Sequence, residues 1–95
     1  MITLKKLQEI QLDFDSSHAG RRPWYSAASD DNPEVLEHTA LCLAGEVGEL
    51  ANIIKKVSRG DLGYSDARAL IAEEIADVFA YTLKIANQVG LSVEE

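Results

Sequence analysis

Gly45-Glu46-Val47-Gly48-Glu49, answered further along by Glu73-Glu74-Ile75-Ala76-Asp77, is the stretch around which the chain is arranged. On an α-helix each residue advances by about 100°, so Glu46 and Glu49 fall within about 60° of each other and share a face. The same spacing puts Glu74 and Asp77 on one face of a second helix, with Glu73 within about 40° of Asp77. Both clusters interrupt apolar runs, Leu41 to Leu50 and Leu70 to Leu83, where a charge is costly to bury unless something pairs with it. Facing carboxylates repel one another, and a divalent cation reverses that sign. Oxygen ligands with no His or thiolate at these positions suit Mg²⁺, or Mn²⁺, better than zinc or copper. Gly45 and Gly48 each weaken the helix by about 1 kcal/mol relative to Ala, which points to close approach of another backbone or a ligand at that surface.

The E-x-x-E of Glu46 and Glu49, 24 intervening residues, and the E-x-x-D of Glu74 and Asp77 resemble the signature of the MazG-like, all-α nucleoside triphosphate pyrophosphohydrolases. The likeness extends to Ala44 through Ala51, to Glu73 through Val78, to Tyr81 one turn on and to Gly90. It covers roughly Thr39 to Glu95 and leaves the N-terminal third without a distinctive match. The resemblance implies Mg²⁺-dependent hydrolysis of a nucleoside or deoxynucleoside triphosphate to the monophosphate and pyrophosphate. Glu46, Glu49, Glu74 and Asp77 would hold the metal, and Glu46 or Glu49 would act as general base. Such chains commonly continue with a helix whose basic residues and Asn reach the phosphates. Here Leu91-Ser92-Val93-Glu94-Glu95 reads as the cap and first turn of such a helix. Sister activities in the same superfamily are phosphoribosyl-ATP hydrolysis and a dUTP-preferring reaction. A reading from another class is a non-catalytic helical module that offers its acidic face to a basic protein.

Ninety-five residues make one domain near the lower limit for burying an adequate core alone, so a homodimer or homotetramer is expected. The chain is 46% hydrophobic and 26% charged, an ordinary soluble composition, and has no apolar run long enough to span a bilayer. Its polar N-terminus does not read as a secretory signal, and the single Cys42 permits no internal disulfide; both suit a cytoplasmic protein. A net charge of −7 argues against a nonspecific nucleic-acid or membrane surface. It does not exclude a nucleotide whose phosphates a metal ion screens.

Along the chain, Thr3 is the expected cap of a first helix running to about Ser17, with Leu4, Leu7, Ile10, Gln11 and Phe14 as its apolar stripe. From His18 to Asp31, Gly20, Pro23 and small polar residues break the periodicity. In this loop Trp24 and Tyr25 can stack on a base, with Arg21 or Arg22 reaching phosphate, or the aromatics can cover the edge of the core. Asn32 is the expected cap of a second helix with Pro33 at its first position, ending near Arg59, where Gly60 supplies the stop. Ser65 is the expected cap of a third helix that reaches Gln88 or Val89 and closes on Gly90. The short turn between the last two makes them antiparallel neighbours and brings the acid clusters face to face. The expected fold is therefore an all-α antiparallel helical bundle of the MazG-like type, completed by oligomerisation.

Further candidates flank the acids. Lys56 lies seven residues after Glu49 and Lys84 seven after Asp77, each returning to within about 20° of an acid, so either can hold a phosphate oxygen; a solvated Lys56 and a salt-bridged Lys84 are the rival readings. Tyr81 either borders a nucleoside pocket or packs as a half-buried core residue. His38, Cys42 and Glu46 form a column that diverges along a straight helix and does not converge on one zinc ion. Cys42 is expected in the core.

Overall fold

A computed structural model describes residues 1–17 and 27–94. The described residues form three helices and no strand, α1 (Leu4–Ser17), α2 (Glu34–Ser58) and α3 (Tyr64–Val89), so the all-α expectation holds. The loop candidates Arg21, Arg22, Trp24 and Tyr25 lie outside the described residues.

Local chemistry sets the helix ends. The hydroxyl of Thr3 accepts the Lys6 amide at 3.0 Å, the expected cap of α1. A second cap comes from the far end of the chain, where Glu94 Oε1 accepts the Lys5 amide at 2.8 Å. On α2 the capping position belongs to Pro33, whose φ of −64° is already helical, and no side chain caps it. The Asn32 side chain works on the preceding loop instead, accepting from Ser29 Oγ at 2.6 Å and donating to the Ala27 carbonyl at 2.9 Å. At α3 the cap is Gly63 in extended conformation, two residues before the expected Ser65. The two glycine stops are as expected. Gly60 and Gly90 take positive φ of 83° and 71°, and the following amides, Asp61 and Leu91, reach back to Lys56 and Ala86 carbonyls at 2.9 Å, the six-to-one closure that satisfies orphan helix carbonyls.

Helix α2 packs mainly on α3, and α1 lies on the C-terminal half of α3. Residue numbers that rise along α2 fall along α3: Gln88 Nε2 donates to the Val35 carbonyl, Thr39 shares a cavity with Lys84, and Glu46 converges with Asp77 and Glu74. Among the described residues, the buried apolar ones are Ala67, Leu83 and Ala86, joined by Asp15, Thr39 and Gln88. Phe14, Leu41, Val47, Ile54, Ile75 and Phe79 stay between 43% and 66% exposed, so a single copy leaves much of its apolar surface in water.

The face that α1 turns to α3 differs from the expected stripe. Of that stripe Leu7 and Gln11 are half-buried, but Leu4, Ile10 and Phe14 are exposed, and Asp15 is buried in their place. The reason is that α3 meets α1 with polar groups. Asn87 Nδ2 donates to the Gln8 carbonyl at 3.2 Å, and Lys84 pairs with Asp15. Gln8 also binds the C-terminal segment, donating to the Leu91 carbonyl at 2.6 Å and accepting the Val93 amide at 3.2 Å. Leu91 to Glu94 form no helix here but lie along α1. Gln8→Ala is expected to cost about 1 kcal/mol in chemical denaturation and to speed hydrogen exchange at the Val93 amide.

Candidate metal centre

Helices α2 and α3 bring three of the four expected acids to one point: Glu46, Glu74 and Asp77 each offer an oxygen within 4.8 Å of the others'. The i, i+3 spacing on α3 places Glu74 and Asp77 on one face, and the falling register of α3 against α2 carries that face to Glu46. Glu46 and Glu74 are half-buried and Asp77 is exposed. Glu46 Oε2 and Glu74 Oε2 are both shielded from solvent and receive no hydrogen bond.

Two carboxylates without a donor between them can bond only by sharing a proton. Accordingly Glu74 is pushed up from 4.5 to about 7, first by the hydrogen-bonding Glu46 carboxyl, then by burial, and then by the charges of Glu49 and Glu46. A cation in the same place would meet the lone pairs that the proton meets. The donors are all carboxylate oxygens, which fits a hard divalent ion such as Mg²⁺. Glu49 is exposed and stands outside the converging three, yet it reaches Glu74, acting on it by charge and, more weakly, through a side-chain hydrogen bond. Glu73 is exposed and does not join the group.

Of the flanking candidates, Tyr81 and Lys84 lie together and Lys56 lies apart. Tyr81 is half-buried and borders two cavities; burial, then the Cys42 thiol, raises its hydroxyl above the ordinary value. Lys84 Nζ stands 4.6 Å from the Tyr81 ring centroid and 3.5 Å from Asp15 Oδ1. Lys56 is exposed on the last turn of α2. Cys42 is half-buried, not core, with Sγ 3.5 Å from His38 Nε2. Neither joins the carboxylates, as the divergence of a helical column requires. Among the described residues, a side chain at Gly45 or Gly48 would meet nothing within 4 Å beyond its own helix backbone and chain neighbours, so no close approach of another element is made there by these residues.

The family model of the MazG nucleotide pyrophosphohydrolase domain matches residues 35–95, well over half of the chain and both acid motifs. The chain belongs to this family. Among curated proteins, the MazG-domain chain is 37% identical over 70 residues to a Mycobacterium phage L5 protein called Gene 37 protein, a match that takes in 70% of this chain. The chain spans 61% of that relative's length. No solved structure gives a significant match. The MazG match begins at residue 35, so it takes in α2 and α3 and leaves out α1, where sequence reasoning missed Asp15. The available signal was its place four residues after Gln11, on the continuation of the stripe.

Proposed function

We propose that this MazG-domain chain hydrolyses a nucleoside or deoxynucleoside triphosphate to the monophosphate and pyrophosphate, with Mg²⁺, or Mn²⁺, held by Glu46, Glu74 and Asp77. The observation that carries the reading is the pair of shielded, donorless oxygens on Glu46 and Glu74 from facing helices, inside a domain of the pyrophosphohydrolase family. A bound divalent ion would draw charge off the triphosphate. Glu46 is engaged with Glu74 and Asp77, which leaves exposed Glu49 as the general base that takes a proton from the attacking water. Lys56, on the exposed end of α2, is a candidate for the outer phosphates. The test is pyrophosphate release from a panel of nucleotides at micromolar protein with Mg²⁺ and with EDTA. Silence across the panel overturns the enzyme reading in favour of a helical partner-binding module. No helix among the described residues is long and apolar enough to cross a membrane, and the acidic balance favours neither nucleic acid nor membrane as partner.

The assembly belongs to the same proposal: an antiparallel helical bundle completed by a second copy, as a homodimer or homotetramer. Its motive is the exposure of Leu41, Val47 and Ile54 on α2 beside Gly45 and Gly48, which no other element among the described residues approaches. Gly48→Leu is expected to shift the light-scattering mass at tens of micromolar toward one chain while helical circular dichroism persists. A monomeric parent sinks the idea.

A further inference from the structure

Asp15 is 5% exposed on a helix that presents Leu4, Ile10, Leu12 and Phe14 to solvent. Its Oδ1 accepts Gln11 Nε2 at 2.9 Å and pairs with Lys84 Nζ at 3.5 Å. Taking such a pair out of water costs as much as the attraction returns, and an apolar pair of similar size is usually no less stable. A buried ion pair is therefore poor glue. What it supplies here is position.

The positioned group is the Lys84 ammonium, held 4.6 Å from the Tyr81 ring on the wall shared by two cavities. One, of about 250 Å³, lies between α2 and α3 and is lined by His38, Thr39, Tyr81 and Lys84. The other is a groove of about 450 Å³ between α1 and α3 that runs from Lys84 to Asp77 past Ile10, Phe14 and Ala80. It thus begins at a member of the carboxylate group and continues between apolar walls, which suit an uncharged ring better than a phosphate. Asp15 balances the charge of Lys84 across 3.5 Å, and the ammonium carries three N–H donors. The pair is a weak attractant for phosphate but still a directed donor to a neutral oxygen or nitrogen.

We propose that the Asp15–Lys84 pair, bridging α1 and α3 beside the groove that opens at Asp77, reads the nucleoside end of the substrate: Lys84 donates to a sugar or base acceptor, and Asp15 is its positioning residue. This assigns Lys84 a neutral acceptor in place of the phosphate oxygen its spacing suggested. The inference rests on the pyrophosphohydrolase reading.

The test is calorimetric binding in Mg²⁺ of non-hydrolysable α,β-imido nucleotides, with inorganic tripolyphosphate as the ligand that has no nucleoside. Asp15→Asn is expected to raise the dissociation constant of the best-bound nucleotide by roughly tenfold, the loss of one charge-assisted hydrogen bond. Tripolyphosphate binding should stay within about twofold, since metal and phosphate contacts are untouched. Asp15→Glu should recover most of the nucleotide affinity, which a purely structural role would not predict. If Asp15→Asn does not fold, the double variant Asp15→Asn/Lys84→Gln, which keeps a hydrogen-bonding pair without buried charge, decides. An equal loss for tripolyphosphate, or nucleotide affinity unchanged in the folded variant, overturns the proposal. A parent that binds neither ligand overturns the pyrophosphohydrolase reading instead.

Discussion

Glu49→Gln and Asp77→Asn are each expected to reduce pyrophosphate release by about a hundredfold to ten-thousandfold, without loss of the apo fold. In the proposed reading the two carboxylates do different work, so the variants should part company when Mg²⁺ is added. An ion that binds only the folded state stabilises it by mass action, about 2.7 kcal/mol at a hundredfold excess over Kd. The parent should therefore melt higher with Mg²⁺. Asp77→Asn removes the negative charge of one of the three converging carboxylates and should lose most of that rise. Glu49→Gln, outside the three, should keep much of it while remaining inactive. Without metal, both variants relieve like-charge repulsion and should melt at or slightly above the parent. If both unfold the apo protein and Mg²⁺ leaves the parent's Tm unmoved, these acids are structural partners and the metal centre does not exist.

The second large effect is on pH. Glu74 binds its proton up to about 7 in the folded chain against 4.5 for the free side chain. Between those values the unfolded chain has released the proton and the folded chain has not, so folding is linked to proton uptake. The stabilisation is fully present below about 4.5 and is lost as pH rises toward about 7. The apo Tm should fall across that window, beyond what Glu74→Gln shows, because the amide cannot titrate. A metal ion must displace the same proton. Calorimetry in buffers of different ionisation enthalpy should find about one proton released per ion near pH 6 and almost none by about pH 8.5. A flat apo Tm from pH 4.5 to 7, with no proton release, would show that Glu46 and Glu74 do not share a proton.

Much of this protein is legible in its sequence. The three helices follow from local chemistry: the Thr3 cap, Pro33 at the start of α2, and positive-φ glycines Gly60 and Gly90 at two ends. Each signal lies within a turn of the backbone groups it satisfies, which is why the residues alone reveal it. The acid faces follow from helical periodicity, and a short turn implies that they meet. Where the local signals failed, a competing partner decided. Asn32 looked like a cap and is spent on Ser29 and Ala27; Gly63 took the position expected of Ser65.

Other features depend on groups far apart in the chain, and no spacing rule reaches them. Which acids converge is one: periodicity treats Glu46 and Glu49 alike, but the rotation of α2 against α3 draws in Glu46 and leaves Glu49 at the rim. The role of α1 is another. Its apolar spacing promised burial of Ile10 and Phe14 beside Gln11, yet Lys84 on α3 and Gln11 offered polar partners to Asp15, so Asp15 turned inward and the apolar side chains became a groove wall. A helix can present its residues in order, but only the surface it lands on selects which of them are buried, because burial energy and hydrogen-bond satisfaction belong to the pair of surfaces and not to either one.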